Sequence, residues 1–262
     1  MSGLAALERR VAALAGRVGP PPAIPSAPEI ARLVGIECDP WQYAVLTSAS
    51  PRLLLNCCRQ SGKSTTVAVL AAHTALAQPG ALVLLVSPTL RQSGELFKKA
   101  LGVYRASGRP VAAESETALT LTLANGSRIV SLPGAEASVR GYSGPKLIAI
   151  DEASRVPDDL YVSLRPMLAV SNGRLIALST PFGTRGWWYE AWRGTEPWAR
   201  VRITAEECPR IDPAFLEEER RTLGEWWYRQ EYFGEFMDAQ SRVFTRAEID
   251  RAFGEGVEVW TL

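Results

Sequence analysis

The sequence has a single histidine, only four cysteines and a net charge of only +1, and each scarcity argues against a class of site. One histidine, His73, argues against a Ser-His-Asp triad. The absence of a CxxC pair argues against a zinc centre. A net charge near zero gives no overall field for nucleic acid, so any DNA contact must be local and shared among subunits.

Long apolar runs are also missing. No stretch approaches the roughly 20 apolar residues that span a bilayer, and the alanine-rich N-terminus is interrupted by Glu8, Arg9 and Arg10. This pattern argues against both a membrane helix and a secretory signal. The 262 residues, 47% hydrophobic and 22% charged, are typical of a globular protein with one large core. We therefore expect a cytoplasmic protein without a membrane partner.

The most informative motif runs from Cys57 to Thr65 and nearly matches the GxxxxGK[ST] phosphate-binding loop. Only the first glycine is replaced, by Cys57, whose Cβ would force the loop to differ if this position needed a positive φ. The apolar segment 52–56 predicts a strand before the loop, and the alanine-rich segment 66–72 predicts a helix after it. A chance GKS at a helix start is the alternative interpretation.

In such a loop, free backbone N–H groups and the helix dipole bind phosphate. Lys63 would contact the terminal phosphates of ATP, and the Ser64 hydroxyl would ligate Mg2+. The predicted nucleotide-contacting residues of the loop are Arg59, Gln60, Ser61, Gly62, Lys63, Ser64 and Thr65.

The rest of the chain predicts an α/β fold with a mainly parallel central sheet flanked by helices. Apolar runs predict buried strands at 81–86, 146–150 and 175–178, and a helix is predicted from about 90 to 104. Alternating residues on both sides of Asn125-Gly126 predict an antiparallel hairpin insert beside the parallel core. From Pro213 the pattern becomes helical, which we interpret as a small C-terminal lid.

Three segments follow from these patterns. Residues 1–28 hold an amphipathic helix and a proline-rich connector, 29–208 the phosphate-loop core, and 209–255 the lid subdomain. The N-terminal helix either docks on its own domain or helps subunits associate.

Asp151 and Glu152 directly follow the strand predicted at 146–150. In a phosphate-loop ATPase, this position supplies one carboxylate for Mg2+ and another that acts as general base on the attacking water. An acidic helix cap is the alternative. Together with the upstream loop, the pair predicts ATP hydrolysis, with Asp151 and Ser64 at the metal and with Glu152 and Lys63 in catalysis.

Hydrolysis also requires positive charge near the γ-phosphate, and two arginines are candidates. Arg140 lies shortly before the strand that leads to Asp151, and Arg59 lies in the loop itself. An ordinary surface ion pair is the alternative for either one. The residues alone leave this choice open.

Two further groups are candidates by position. The tripeptide Ser179-Thr180-Pro181 follows the strand predicted at 175–178, so its hydroxyls could respond to the γ-phosphate. Gln42 precedes the first core strand and carries the paired donor and acceptor that match an adenine edge. By itself, a glutamine there is more often a solvated residue at a helix start.

Taken together, these motifs resemble the ATPase domain of the large terminase of tailed bacteriophages, the motor that packages DNA into capsids. The resemblance covers about residues 38 to 240. It rests on Trp41-Gln42, Arg59-Gln60-Ser61-Gly62-Lys63-Ser64, Ser87-Pro88-Thr89, Leu132-Pro133-Gly134, Arg140-Gly141, Ile148-Ala149-Ile150-Asp151-Glu152, Ser179-Thr180-Pro181 and Glu231-Tyr232-Phe233-Gly234-Glu235-Phe236.

The resemblance implies a P-loop NTPase of the ASCE type that hydrolyses ATP to move double-stranded DNA into a procapsid. It implies an adenine contact by Gln42, coupling of hydrolysis to motion by Ser179, Thr180 and Pro181, and an arginine finger at Arg140. A helicase-like DNA translocase lobe and a non-hydrolysing nucleotide-binding module are the alternatives.

The same resemblance implies a portal protein and a small terminase subunit as partners, in the host bacterial cytoplasm. It further implies a homo-oligomeric ring on the procapsid, with a monomer in isolation. Family members carry an RNase H-like nuclease domain after this one. The resemblance therefore implies that residues 256–262 are the start of a linker to that domain or its first strand, and we expect no nuclease activity from this chain. Only four of the 29 basic residues are lysine, a bias that fits a GC-rich genome or a hot habitat. Together with the resemblance, this bias leads us to expect a phage of a thermophilic bacterium.

Overall fold

The computed structural model describes residues 23–134, 139, 141–238 and 251–252. The helix predicted at the N-terminus, the candidate finger Arg140 and the predicted strand at 256–262 lie outside the described residues. Within the described ranges, no helix is long and apolar enough to cross a membrane.

The strands of the described part of the chain are β1 Arg52–Cys57, β2 Leu82–Ser87, β3 Ala113–Glu116, β4 Thr120–Leu123, β5 Arg128–Pro133, β6 Leu147–Asp151, β7 Arg174–Ser179 and β8 Ala199–Ile203. These eight strands form one sheet in the order β3-β4-β5-β2-β6-β7-β1-β8. The helices are α1 Ala27–Leu33, α2 Pro40–Thr47, α3 Lys63–Ala77, α4 Leu90–Ala106, α5 Asp158–Leu164, α6 Gly186–Arg193 and α7 Pro213–Phe233. Three short 3-10 helices cover Ala153–Arg155, Arg165–Leu168 and Ala205–Glu207.

The central strands are parallel and buried on both faces, as their continuous apolar runs predict. Successive side chains of a strand point to opposite faces. In β1, Leu53 and Leu55 therefore belong to the core that contains α3 and α4, whereas Leu54 belongs to a second core with α5 and α6. The result is a three-layer α/β/α fold, which confirms the predicted fold class.

The predicted hairpin is confirmed by β4 and β5, which pair in antiparallel register. Gly126 supplies a positive φ of 80° at its turn. β5 also pairs in parallel with β2, so the hairpin extends the core sheet at one edge. β3, which adds the outermost strand, was not predicted because Glu114 and Glu116 break any apolar alternation.

β8 at the opposite edge was also missed by the sequence patterns. Arg200 and Arg202 interrupt its apolar character, because an edge strand is less buried than a central one. The neighbouring aromatic residues pack rather than face solvent. Trp187 is buried and stacks on Tyr161 with ring centroids 4.0 Å apart.

α7 confirms the helical pattern that was predicted from Pro213. It is broken at Gly224, whose φ of 76° and ψ of 161° are not helical. Beyond this break, Tyr228 and Tyr232 pack into the same apolar core as β1 and α3. The second half of α7 therefore lies against the core, and its movement as a separate lid stays a prediction.

Candidate active site

The phosphate-binding loop connects β1 to α3 and lies at the carboxyl edge of the parallel sheet. Cys57 is the buried last residue of β1 and pairs with Ile203, so its Cβ does not obstruct the loop. Positive φ values occur instead at Gln60, 61°, and at Gly62, 90°. A left-handed conformation costs a non-glycine residue about 1 kcal/mol, so Gln60 is held there by the rest of the loop.

Gln42 lies directly against this loop. A Cβ added to Gly62 would stand 2.7 Å from the side-chain nitrogen of Gln42, and the φ of 90° at Gly62 would strain any residue with a side chain. Gln42 is buried, and its Oε1 accepts a hydrogen bond of 2.8 Å from the backbone N–H of Asp39. Because that partner is a donor, the amide orientation is fixed, and the NH2 group of Gln42 is the end that faces the loop.

Arg210 connects Asp39 to the phosphate loop, and sequence reasoning missed it. Its guanidinium donates to both carboxylate oxygens of Asp39 at 2.8 and 2.7 Å, and to the Ser61 carbonyl at 2.9 Å. No local pattern marks Arg210, because its partners lie far upstream in the sequence. Arg210, Gln42 and Gly62 line a cleft of about 630 Å³ beside the loop.

A second cleft, of about 700 Å³, opens over the loop itself. Lys63 is only 8% exposed, yet its ammonium makes no hydrogen bond or ion pair with any residue that the structure describes. A buried, unpartnered cation is costly unless a ligand satisfies it. The residues that line the cleft are Arg59, Gln60, Ser61, Gly62, Lys63, Ser64, Thr65, Gln92, Lys99, Glu152 and Arg155.

Ser64 and Asp151 meet at the base of this cleft. The Ser64 hydroxyl donates to Asp151 Oδ2 at 3.2 Å, which joins the start of α3 to the end of β6. Burial raises the pKa of the Asp151 carboxyl, and the Lys63 charge partly opposes that effect. The predicted metal ligands therefore lie together as two oxygen groups, the type that Mg2+ prefers.

Glu152 has the second non-glycine positive φ of the site, with φ 50° and ψ 43°. Its backbone N–H donates to Asp151 Oδ1 at 3.0 Å, and its side chain lines the cleft. Burial raises the pKa of Glu152, and Lys63 is the main opposing influence. A strained backbone that directs a carboxylate into a cleft is typical of a functional residue.

Arg59 binds a residue of the C-terminal helix. Its guanidinium forms an ion pair with Glu231 of α7, and its backbone N–H donates to the Glu231 carbonyl at 3.1 Å. The bond to Glu231 raises the pKa of Arg59. Arg59 therefore joins the phosphate loop to the C-terminal helix. The other candidate finger, Arg140, lies outside the described residues.

Ser179 ends β7, next to the β6 strand that carries Asp151. Its hydroxyl accepts a hydrogen bond of 3.2 Å from the Ser154 N–H and shares another of 2.7 Å with the Ser154 hydroxyl. Thr180 and Pro181 follow and are buried. The predicted coupling tripeptide is therefore bonded to the segment that follows Glu152.

The structure also brings Gln92, Lys99 and Arg155 to the cleft, and sequence reasoning missed all three. Both Gln92 and Lys99 lie on α4, Gln92 in its first turn and Lys99 in its third. Arg155 lies three residues after Glu152, a spacing that places both near one edge of the sheet. That spacing was the available signal for Arg155.

Comparison with known proteins places this site in a family. Residues 54–251 match the family model described as "Terminase large subunit, T4likevirus-type, N-terminal". The large terminase subunit of Escherichia phage T5 is 30% identical over 232 residues, which cover 84% of this chain and 50% of that protein. The chain thus spans about half the length of this curated relative.

Solved structures of large terminases have a fold similar to that of this chain. The large terminase ATPase domain of Thermus phage P74-26 matches with a TM-score of 0.71 and 24% identity, over 80% of this chain and 98% of that chain. The large terminase of another thermophilic bacteriophage, solved in complex with ADP, matches with a TM-score of 0.65 and 13% identity, over 76% and 54% of the two chains. Since the family model covers well over half of the sequence, this chain belongs to the large terminase family and corresponds to its N-terminal part.

Proposed function

We propose that this chain is the ATPase domain of a large terminase and hydrolyses ATP to translocate double-stranded DNA into a procapsid. The observation that carries the proposal is the convergence of Lys63, Asp151 and Glu152 on one cleft over the phosphate loop. The T5 relative and both structural neighbours described above are terminases, and one of those neighbours was solved as a complex with ADP.

In this proposal, Lys63 and the loop N–H groups hold the phosphates of ATP. Ser64 and Asp151 would hold Mg2+, which neutralises phosphate charge when bound. Glu152 accepts the proton of the attacking water, because its carboxylate is held in the cleft by its left-handed backbone. Thr65 and the backbone of Arg59, Gln60, Ser61 and Gly62 complete the loop.

Coupling to motion would follow from two links of the described site. The bonds of Ser154 to Ser179 connect the segment after Glu152 to the Ser179-Thr180-Pro181 tripeptide. The ion pair of Arg59 with Glu231 connects the loop to α7. Different binding energies for ATP and ADP at this cleft would shift both links.

The proposal also includes the partners, the assembly and the arginine finger. Partners would be a portal protein and a small terminase subunit, with a homo-oligomeric ring on the procapsid in the host cytoplasm. Arg140 would supply the finger on its own ATP or on a neighbour's. The thermophilic source stays a prediction from the arginine content.

Removal of one metal ligand tests the function. We expect ATP turnover by this chain to require Mg2+ and to fall by at least about 100-fold in Asp151→Asn, because the variant loses a negative metal ligand. Phosphate release in the presence and absence of EDTA measures both effects. Asp159→Asn on α5 is the matched control, because among the described residues its carboxylate accepts only from the Leu160 N–H.

The full-length subunit with Asp151→Asn should also fail to package DNA into procapsids. Absence of ATP turnover in the wild type, or normal turnover in Asp151→Asn, would contradict the ATPase assignment. Strand separation of duplex DNA by the wild type would favour the helicase-like alternative.

Adenine recognition is tested by Gln42→Glu. This change keeps the oxygen that accepts from the Asp39 N–H but removes the NH2 donor. We expect KM for ATP to rise about fivefold while kcat changes less than about twofold, since one hydrogen bond to the base contributes about 1 kcal/mol. The preference for ATP over GTP should fall in parallel. An unchanged preference would remove Gln42 from base recognition.

A further inference from the structure

Arg155 and Lys99 are cations of this cleft with no assigned role, and of the two only Arg155 lies on the segment that follows Glu152. Arg155 ends the 3-10 helix Ala153–Arg155 and lines the cleft together with Glu152 and the phosphate loop. Its side chain is exposed and makes no hydrogen bond or ion pair within the described ranges. Arg59 and Arg210, by contrast, are bound to Glu231 and Asp39. The hydrogen-bond donors of Arg155 are therefore available to a ligand.

The guanidinium of Arg155 rests on an aromatic ring. Its central carbon lies 4.0 Å from the ring centroid of Phe182, a cation–π contact. Phe182 is the residue that follows the Ser179-Thr180-Pro181 tripeptide. Arg185 approaches the same ring at 6.0 Å, but it does not line the cleft.

The 3-10 helix of Arg155 has a second connection to the same segment. The Ser154 N–H donates to the Ser179 hydroxyl at 3.2 Å, and the two hydroxyls lie 2.7 Å apart. Residues 154 and 155 thus contact both ends of the segment 179–182. A displacement of Arg155 would therefore directly change the contacts of that segment.

We propose that Arg155 binds the γ-phosphate of ATP in the cleft of its own chain and that Phe182 holds the guanidinium when no γ-phosphate is present. An exposed cation–π contact is weaker than a charge-assisted hydrogen bond to phosphate, so ATP draws Arg155 off the ring. Phe182 is then released, and the segment 179–182 distinguishes ATP from ADP. This inference rests on the proposed function, because it requires ATP in this cleft.

The first test is Arg155→Gln, with ATPγS and ADP titrated in the presence of Mg2+. We expect affinity for ATPγS to fall about 10- to 100-fold, the range for loss of a charge-assisted hydrogen bond. Affinity for ADP should stay within about twofold, because ADP has no γ-phosphate. The matched control is Arg185→Gln, which should change neither affinity. Equal losses for the two nucleotides would overturn the proposal.

The second test removes the ring with Phe182→Leu. In the wild-type background we expect affinity for ATPγS to rise about two- to fivefold, since the competing cation–π contact is lost. In the Arg155→Gln background the same change should have no effect, and a persistent effect would overturn the proposal. Thermal unfolding without nucleotide checks that each variant is folded.

Different results would contradict the proposed function and the role of Arg155. Wild-type protein that binds neither nucleotide would overturn the proposed function and this inference together. If the wild type binds both nucleotides and Arg155→Gln binds each of them with the wild-type affinity, only the role of Arg155 is wrong.

Discussion

Replacement of Glu152 by glutamine should reduce ATP turnover by about 10²- to 10⁴-fold, the usual contribution of a general base, while ATP binding is retained. The amide has the shape of the carboxylate but cannot accept the proton of the attacking water. Because the loop and Lys63 are unchanged, the affinity for ATPγS should stay within about threefold of the wild type. Single-turnover hydrolysis and nucleotide titration measure the two effects separately.

The same substitution should not destabilise the fold. The raised pKa of Glu152 means that burial disfavours its ionised form in the folded chain relative to the unfolded chain. At neutral pH, without nucleotide and metal, the unfolding temperature of Glu152→Gln should therefore equal or exceed that of the wild type. The left-handed backbone of this residue imposes no different demand on glutamine.

The matched control for Glu152→Gln is Glu95→Gln. Glu95 is exposed on α4 and, within the part of the chain that the structure describes, forms an ion pair only with Lys98, so this change should leave turnover unaltered. Normal turnover in Glu152→Gln would remove Glu152 from the catalytic role. Loss of ATP binding in the same variant would instead give Glu152 a part in holding nucleotide.

The sequence predicted the parts of the site that local pattern controls. Apolar runs located β1, β6 and β7, and a parallel sheet brings their carboxyl ends to one edge. Lys63, Asp151 and Ser179 follow or flank these ends, so their proximity could be expected before the fold was known.

Other features depend on contacts between distant segments, which no local pattern records. Arg210 is held by Asp39, and Arg59 is held by Glu231, in both cases across more than half of the chain. Arg59 is a candidate finger on sequence grounds, and its ion pair with Glu231 could not be predicted from local pattern. β8 was missed because an edge strand needs only partial burial, which Arg200 and Arg202 permit.

Backbone conformation was the third kind of information that the sequence lacked. From the sequence, a positive φ was in question at Cys57, the residue that departs from the loop pattern. The structure places the positive values at Gln60 and Glu152, residue types that do not favour them. Tertiary contacts impose these conformations, so propensity could not indicate them.

Replacement of Lys63 by methionine should abolish both ATP binding and turnover. Methionine fills a similar volume but removes the charge that the phosphates require. Lys63 is nearly buried and has no hydrogen-bonding partner among the described residues, so its ammonium is available to a ligand in the cleft. We expect the affinity for ATPγS to fall at least about 100-fold, with no turnover detectable.

The distinction from Glu152→Gln lies in the binding step, since the glutamine variant should bind ATP and the methionine variant should not. A thermal shift assay measures this directly, because a ligand stabilises only the protein that binds it. ATPγS with Mg2+ should raise the unfolding temperature of the wild type and of Glu152→Gln, but not that of Lys63→Met. Lys98→Met, at an exposed lysine of α4, is the matched control and should respond like the wild type. An ATPγS-induced shift of normal size in Lys63→Met would place the triphosphate outside the loop.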